Sequence, residues 1–516
     1  MRMMGLTSSG RSVALLLACV VPQVARAEGL ETTVSGTIGL GRAANVARVN
    51  DFMATSLNPA NLAAVPSNDL GGELRLPWLH ACFDRVRDPG ASYRTNDPVL
   101  GYAGSESFAP VCNEGALMPT GNLGWAQAFE SGWGYGVGFF TPAAIANLKY
   151  GSDTIVTQAA QADEMLPTTA NGVESPNRFL LLAREQLGGF LQAGVGVTLS
   201  PLLRLGASLG LGFAKIHNKS VASVQGGTFQ DQEVLNDLHV SDWMIPRATV
   251  GLVATPLPAL EVAAVLTYQG DVNASGYVDL TANGLKNAAR TDCRGLDAAA
   301  PGPYCRVDGA SLKVPFPRLT ATLGVRYSQL RAGRTRAFDP LKDERWDIEL
   351  NASWSQTSHV DAYTLTLYRG PPSARVAFSS SPDTMPLAVP GKIVIPYHWR
   401  DTFSVRAGGD YNLIAERLAV RAGLSYEHSA TPTPYMNIDA WAVTRVGLHL
   451  GGTYALGKLK LSLAYAHIFL GSVSVPLEQG RVPEIVSINQ QAAQSVNEGD
   501  YSGSLDVVSG QVNFAF

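Results

Sequence analysis

No stretch of this 516-residue chain is apolar for long enough to cross a bilayer as a helix, which takes about 20 residues. The longest such run, Val13 to Val21, follows Arg2 and Arg11 and precedes the small-x-small site Ala25-Arg26-Ala27. That order is the pattern of an export signal over residues 1–27, with Glu28 as the mature N-terminus. Leu16-Leu17-Ala18-Cys19 also fits a lipoprotein processing site, which would tether Cys19 to a membrane instead. Charge is scarce too, at 16% of residues with a net charge of -4. There is no basic face for nucleic acid and no acidic tail for a basic partner.

Cysteine is sparse, with five in all and four after the signal: Cys82, Cys112, Cys293 and Cys305. An even number in an exported protein favours disulfides, paired locally as 82 with 112 and 293 with 305, against the alternative of four free thiols. The eight histidines are scattered, with no His-Glu-x-x-His and no zinc spacing, so neither metal nor cofactor is implied. Two motif matches are set aside. Gly206-Ala207-Ser208-Leu209-Gly210 has the nucleophile-elbow spacing but lies inside an alternating strand, and Gly39-x-Gly41-x-x-Ala44 has no βαβ unit around it. No enzyme is expected.

What the chain has is glycine, 52 residues of it, and a period of two. From residue 402 one face reads Phe403, Val405, Ala407, Gly409, Tyr411 and the other Thr402, Ser404, Arg406, Gly408, Asp410. Leu418, Val420, Ala422, Leu424 and Tyr426 alternate with Ala419, Arg421, Gly423 and Ser425. Val446, Leu448 and Leu450 then alternate with Arg445, His449 and Thr453, and Leu459, Leu461, Leu463 and Tyr465 with Lys460 and Ser462. Arginine and lysine on a dry inner face would be costly, whereas a polar lumen accommodates them and lipid takes the apolar face. Fourteen candidate strands begin near residues 69, 119, 133, 186, 203, 241, 259, 312, 343, 398, 415, 441, 458 and 503. Tight turns near 131, 200, 255, 413 and 457 alternate with long connections at 87–118, 143–185, 218–240, 278–311, 359–397 and 475–502. The expected fold is all-β: a transmembrane outer-membrane barrel of about fourteen antiparallel strands over residues 69–516. It places the protein in the outer membrane of a Gram-negative bacterium, among outer-membrane lipids and lipopolysaccharide. The last segment, "GQVNFAF", ends on Phe516 and resembles the C-terminal signal read by the barrel-assembly machinery.

Residues 28–68 precede the first strand and are assigned to an N-terminal hatch, or plug, in the lumen. "GLGRA" at 39–43 followed by "DFMATSLNPANL" at 51–62 resembles the hatch of the FadL/TodX-type outer-membrane transport family. "HWRDTFSVRAGGDYNLIAERLAVRAGLSYEHSATP" at 398–432, "GGTYAL" and "AYAHIF" resemble that family's late strands. The chain departs from the pattern at Asn61, where glycine usually follows Asn-Pro-Ala, and in several loops. The resemblance implies passive import of hydrophobic small molecules, long-chain fatty acids or aromatic hydrocarbons, with no energy source or cofactor. It makes Gly39, Gly41, Asn58, Pro59 and Ala60 the hatch motif, and Pro142 the candidate for an inward kink of the third strand that opens a side exit. Asn58 suits a latch between hatch and wall, since its amide can bond two segments at once. Arg406, Arg421, Arg445 and Lys460 project inward from four successive strands. They are candidates to greet a carboxylate headgroup, or simply a solvated wall balanced by Asp410 and by hatch carboxylates such as Asp51. A surface-interaction barrel, an adhesin or receptor with a closed lumen, is the alternative, and a hydrophilic porin comes third. Nothing demands more than a monomer.

Overall fold

The computed structural model describes residues 36–66, 68–86, 110–115, 119–141, 147–150, 152–155, 167–168, 177–223, 233–282, 292–294, 304–334, 339–367, 377–379, 387–388, 391–484 and 495–516. The signal segment, Cys19 and Pro142 lie outside them.

Fourteen staves close into one antiparallel barrel. They are β1 (Asp69–Arg85), β2 (Thr120–Ala128), β3 (Trp133–Phe140), β4 (Ala183–Ser200), β5 (Leu203–Ser223) and β6 (Glu233–Leu257). The next four are each built of two collinear pieces: β7 (Leu260–Gln269, Val272–Ala282), β8 (Tyr304–Val314, Leu319–Leu330), β9 (Glu344–Ser355, Ala362–Thr366) and β10 (Lys392–Pro396, Thr402–Ile414). β11 (Leu418–Glu427), β12 (Arg445–Leu456), β13 (Leu459–Val475) and β14 (Gly499–Ala515) complete the circuit. The seam closes along the whole of β1, from Asp69 opposite Ala515 to Arg85 opposite Gly499. This pairing shuts the sheet on itself, as a chain surrounded by hydrocarbon must.

Side-chain alternation follows the expected faces. On β5, Leu209 is 71% exposed and its neighbour Ser208 2%; on β13, Leu463 is 69% exposed and Ser462 2%. The outward belt is apolar and has an aromatic rim at each end. Phe129 stacks on Trp133 beside the β2–β3 turn, and Phe139, Phe213 and Trp243 stack in a row toward the opposite rim.

The strands outrun the expected boundaries at the long-loop end. Residues 218–240, read as a connection, are largely strand, since β5 runs to Ser223 and β6 starts at Glu233. At 278–311 the staves also enter the expected connection, β7 reaching Ala282 and β8 beginning at Tyr304. The cause is a change of solvent. Beyond a bulge in β6 between Asp242 and Ile245, the outer face turns polar, with Lys215, His217 and Asp237. The inner face there turns apolar, with Ile216, Leu238 and Val240 buried. The period of two persists, but its sign is inverted above the hydrocarbon.

Cys82 lies opposite Cys112 where a short strand, Val111–Cys112, extends the wall beside β1, and the two are disulfide-bonded across 30 residues. The side chains of Cys293 and Cys305 lie outside the described residues.

The N-terminal segment coils inside. A helix α1 (Thr37–Arg42), a single turn α2 (Ala54–Leu57) and a 3-10 turn (Pro59–Ala64) are joined by irregular backbone. The 3-10 turn starts where Pro59 presets the first dihedral and Asn58 Oδ1 accepts from Ala60 N at 3.2 Å. Ala44, Phe52, Leu62 and their neighbours are buried against the wall's inner face.

Candidate functional site

The hatch is fastened to the wall by ions. Arg42 on α1 pairs with Asp347 and reaches Glu349 at 3.6 Å on β9 and Asp410 at 3.5 Å on β10. Arg48 meets Glu261 on β7 at 3.2 Å, and the same carboxylate also holds Arg204 at 2.8 Å and Arg326 at 3.0 Å. Arg326 goes on to Glu344 and, at 3.2 Å, to Asp347, so five staves (β5, β7, β8, β9 and β10) and the hatch share one buried network. Backbone groups add to it. Glu349 Oε1 accepts from Val46 N at 2.7 Å and Ala47 N at 3.0 Å, and Leu40 O lies 2.8 Å from His449 Nδ1.

Glycine makes the fit possible. A Cβ on Gly206 would run into the Pro59 carbonyl and one on Gly408 into Arg42 O. Gly41 is needed from the other side, because a Cβ there would lie 2.9 Å from Arg421 Cδ and 3.1 Å from Gly451 Cα. Gly39 sits buried on the same helix. Bare inner wall beneath the hatch recurs at Gly71, Gly134, Gly196 and Gly423.

Asn58 differs from expectation. Its amide does bridge two segments, donating to Val46 O at 2.8 Å while capping Ala60, but both lie within the hatch. Its link to the wall is steric, against Gly251 on β6. The amide fastens the hatch to itself, and the arginines fasten it to the wall.

Toward the long-loop end the interior is apolar. Val240, Val278, Leu312, Phe316, Tyr363, Tyr397 and Trp399 form one cluster; Phe83, Leu148, Leu181, Met436, Trp441 and Tyr501 belong to another. The connection after β11 folds inward, burying Trp441, whose Nε1 donates to Tyr150 Oη at 2.9 Å. Asp439 in that connection accepts from Arg184 at 3.0 Å and from the Tyr397 hydroxyl. Burial pushes the phenols of Tyr150, Tyr363 and Tyr397 above their ordinary value, so they are neutral hydroxyls at any pH near 7. The lumen is therefore apolar at one end and ionic at the hatch.

A fourteen-strand barrel with an internal N-terminal segment now has counterparts. Residues 334–516 match a protein-family model. The family is the outer membrane protein transport protein family (OMPP1/FadL/TodX). Among solved structures, a Pseudomonas aeruginosa FadL homologue superposes with a TM-score of 0.66 at 14% identity, covering 95% of this chain and 100% of its own. The P. putida toluene transporter TodX gives 0.58 at 14% identity, with 93% and 98% covered, and the Ralstonia pickettii toluene transporter TbuX 0.53 at 12%, also with 93% and 98%. No curated protein matches the sequence. At such identities the superpositions establish the fold, and the FadL/TodX likeness read from the two ends of the sequence agrees with the matched C-terminal region.

Within this barrel the four inward cations are all engaged. Arg406 lies 3.7 Å from Glu427, Arg445 3.4 Å from the same residue, Arg421 3.1 Å from Asp410 and Lys460 3.5 Å from Asp339. Asp410 thus balances the wall as expected. Asp51 does not, since its carboxylate accepts from Gln511 at 2.6 Å instead. Sequence reasoning missed Glu261, Asp347, Glu349, Arg204 and Arg326. The signal was present, because each is a charged residue on the inner parity of its strand.

Proposed function

We propose that the protein lets small hydrophobic molecules pass, without an energy source, across the outer membrane of a Gram-negative bacterium. The long-loop end faces outward and the short turns face the periplasm. The observation that carries the reading is the two-part lumen: an apolar interior at the capture end, closed below by a hatch clamped through buried ion pairs. An open aqueous pore would need no such apolar lining, and a purely adhesive barrel no such clamp. Two of the similar structures, TodX and TbuX, are toluene transporters, which supports the hydrophobic class of cargo. Arg406, Arg421, Arg445 and Lys460 serve as wall charge balanced by their carboxylates.

The exit is assigned to the side of the wall near Pro142. β3 pairs with β4 as far as Phe140, and Asn147–Lys149 pair with it next. What supports this exit is proline's lack of a ladder donor, Pro142 itself lying outside the described residues. The protein acts as a monomer, and exposed Phe514 and Phe516 present the barrel-assembly signal.

The test is uptake of labelled oleate and of labelled toluene by cells lacking their own fatty-acid porter. They express either this chain or its Asn58→Ala/Pro59→Ala variant at matched outer-membrane levels. Uptake that falls in the variant is expected; equal uptake by both would remove the hatch from the pathway, and none by either would reject hydrophobic import.

A further inference from the structure

Above the rim marked by Trp243, the outer wall carries a group of side chains that transport does not use. His217 on β5 and His239 on β6 are directly opposite in register, the closest placement that adjacent strands allow. Their rings stack at 4.1 Å, and both Nε2 atoms converge on one oxygen, Asp237 Oδ1, at 2.6 and 3.0 Å. Lys219 occupies the other oxygen of Asp237 at 3.5 Å, leaving Oδ1 to the imidazoles.

We propose that His217, His239 and Asp237 form a binding site for a divalent first-row transition-metal ion, zinc being the reference case. Two imidazoles and one carboxylate are a donor set suited to such ions, which sit about 2.0–2.2 Å from each ligand. Three donors already gathered around one oxygen need only small ring rotations to turn their lone pairs onto a shared ion, which replaces the hydrogen bonds now joining them. Water completes the shell, as at three-ligand zinc sites.

The surroundings are those of a supported site. Ligating histidines characteristically present their second ring nitrogen to a carboxylate, and Glu185 on β4 lies 3.7 Å from His217 Nδ1. His239 is held on its far side by Tyr277 of β7, ring to ring at 4.9 Å, and Tyr277 by Arg306 of β8 at 4.1 Å. Five adjacent staves thus fix the orientation of two imidazoles. The group is about one-quarter exposed, at 24%, 25% and 29% for the three side chains, which leaves an open approach for a hydrated ion. Bound there, the ion would cross-link β5 to β6 where both strands have left the hydrocarbon.

The experiment is equilibrium dialysis of zinc chloride against chelator-treated protein in detergent, with heat-modifiable gel mobility confirming a folded barrel. The wild type is expected to bind one zinc at micromolar concentration. His217→Ala and His239→Ala should each weaken binding at least tenfold, and the pair should abolish it. His467→Ala, which removes an outer-face histidine paired with Asp506 but with no second imidazole beside it, should change nothing. Wild type that binds no zinc at 100 micromolar, or a double variant that binds like wild type, overturns the assignment. Should the double variant fail to fold, X-ray absorption of the zinc-loaded wild type decides: two imidazole ligands support the site, and none refutes it.

Discussion

Glu261 clamps the hatch, and its removal should do more harm than removal of its hatch partner. Arg48, Arg204 and Arg326 converge on this one carboxylate at 2.8–3.2 Å. In Arg48→Met the carboxylate keeps two cations, so the loss is one charge-assisted hydrogen bond, about 1.5 kcal/mol. In Glu261→Gln three guanidinium groups lose their shared counter-charge, and breaking a buried pair that way costs about 3 kcal/mol or more. At about 1.4 kcal/mol per factor of ten, the undocked hatch should become about tenfold more populated in the first variant and about a hundredfold in the second. Deleting Arg48 in the Glu261→Gln background removes the repelling cation, so the double variant should fall back toward the Arg48→Met value. The assay is single-channel recording in planar bilayers, reading the fraction of time spent in an ion-conducting state. A Glu261→Gln channel no leakier than Arg48→Met, or a double variant whose leak is the product of the two, would refute the clamp.

Gly206→Val places branched carbons where Pro59 lies and should dislodge the hatch, giving constant conductance while heat-modifiable gel mobility shows the barrel still closed. Ordinary closure of that variant would mean the hatch does not rest on this wall. Replacing Cys82 and Cys112 by serine opens a loop of 30 residues and should lower stability by about 3.5 kcal/mol on loop entropy, read as a lower urea midpoint. An unchanged midpoint would show the bond to be thermodynamically idle.

The strand count was legible because lipid imposes the period of two without exception on one face: Leu209, Leu448 and Leu463 could point nowhere else. Past Trp243 the same period carries the opposite sign, so Asp237 outside and Leu238 inside, within 218–240, read as part of a connection. The hatch was legible from its place in the chain and its motif, whereas its helical turns α1 and α2 were not. Four to six residues have too little periodicity to declare themselves, and the enclosing wall decides their shape. His217 and His239 stand 22 residues apart, a separation that means nothing until a register puts them face to face.

The hatch touches both sides of the barrel's seam. Phe52 N donates to Asp69 on β1, Asp51 accepts from Gln511 on β14, and Thr37 bonds Ser509 on β14 and Glu73 on β1. The last strand to leave the ribosome and the first thus meet over residues synthesised before either. The N-terminal segment, bonded to both seam strands, is placed to be enclosed as the final strand docks. Biogenesis of this protein therefore resembles winding a sleeve around a mandrel that is never withdrawn, and a defect in the hatch should surface first as a fault of assembly.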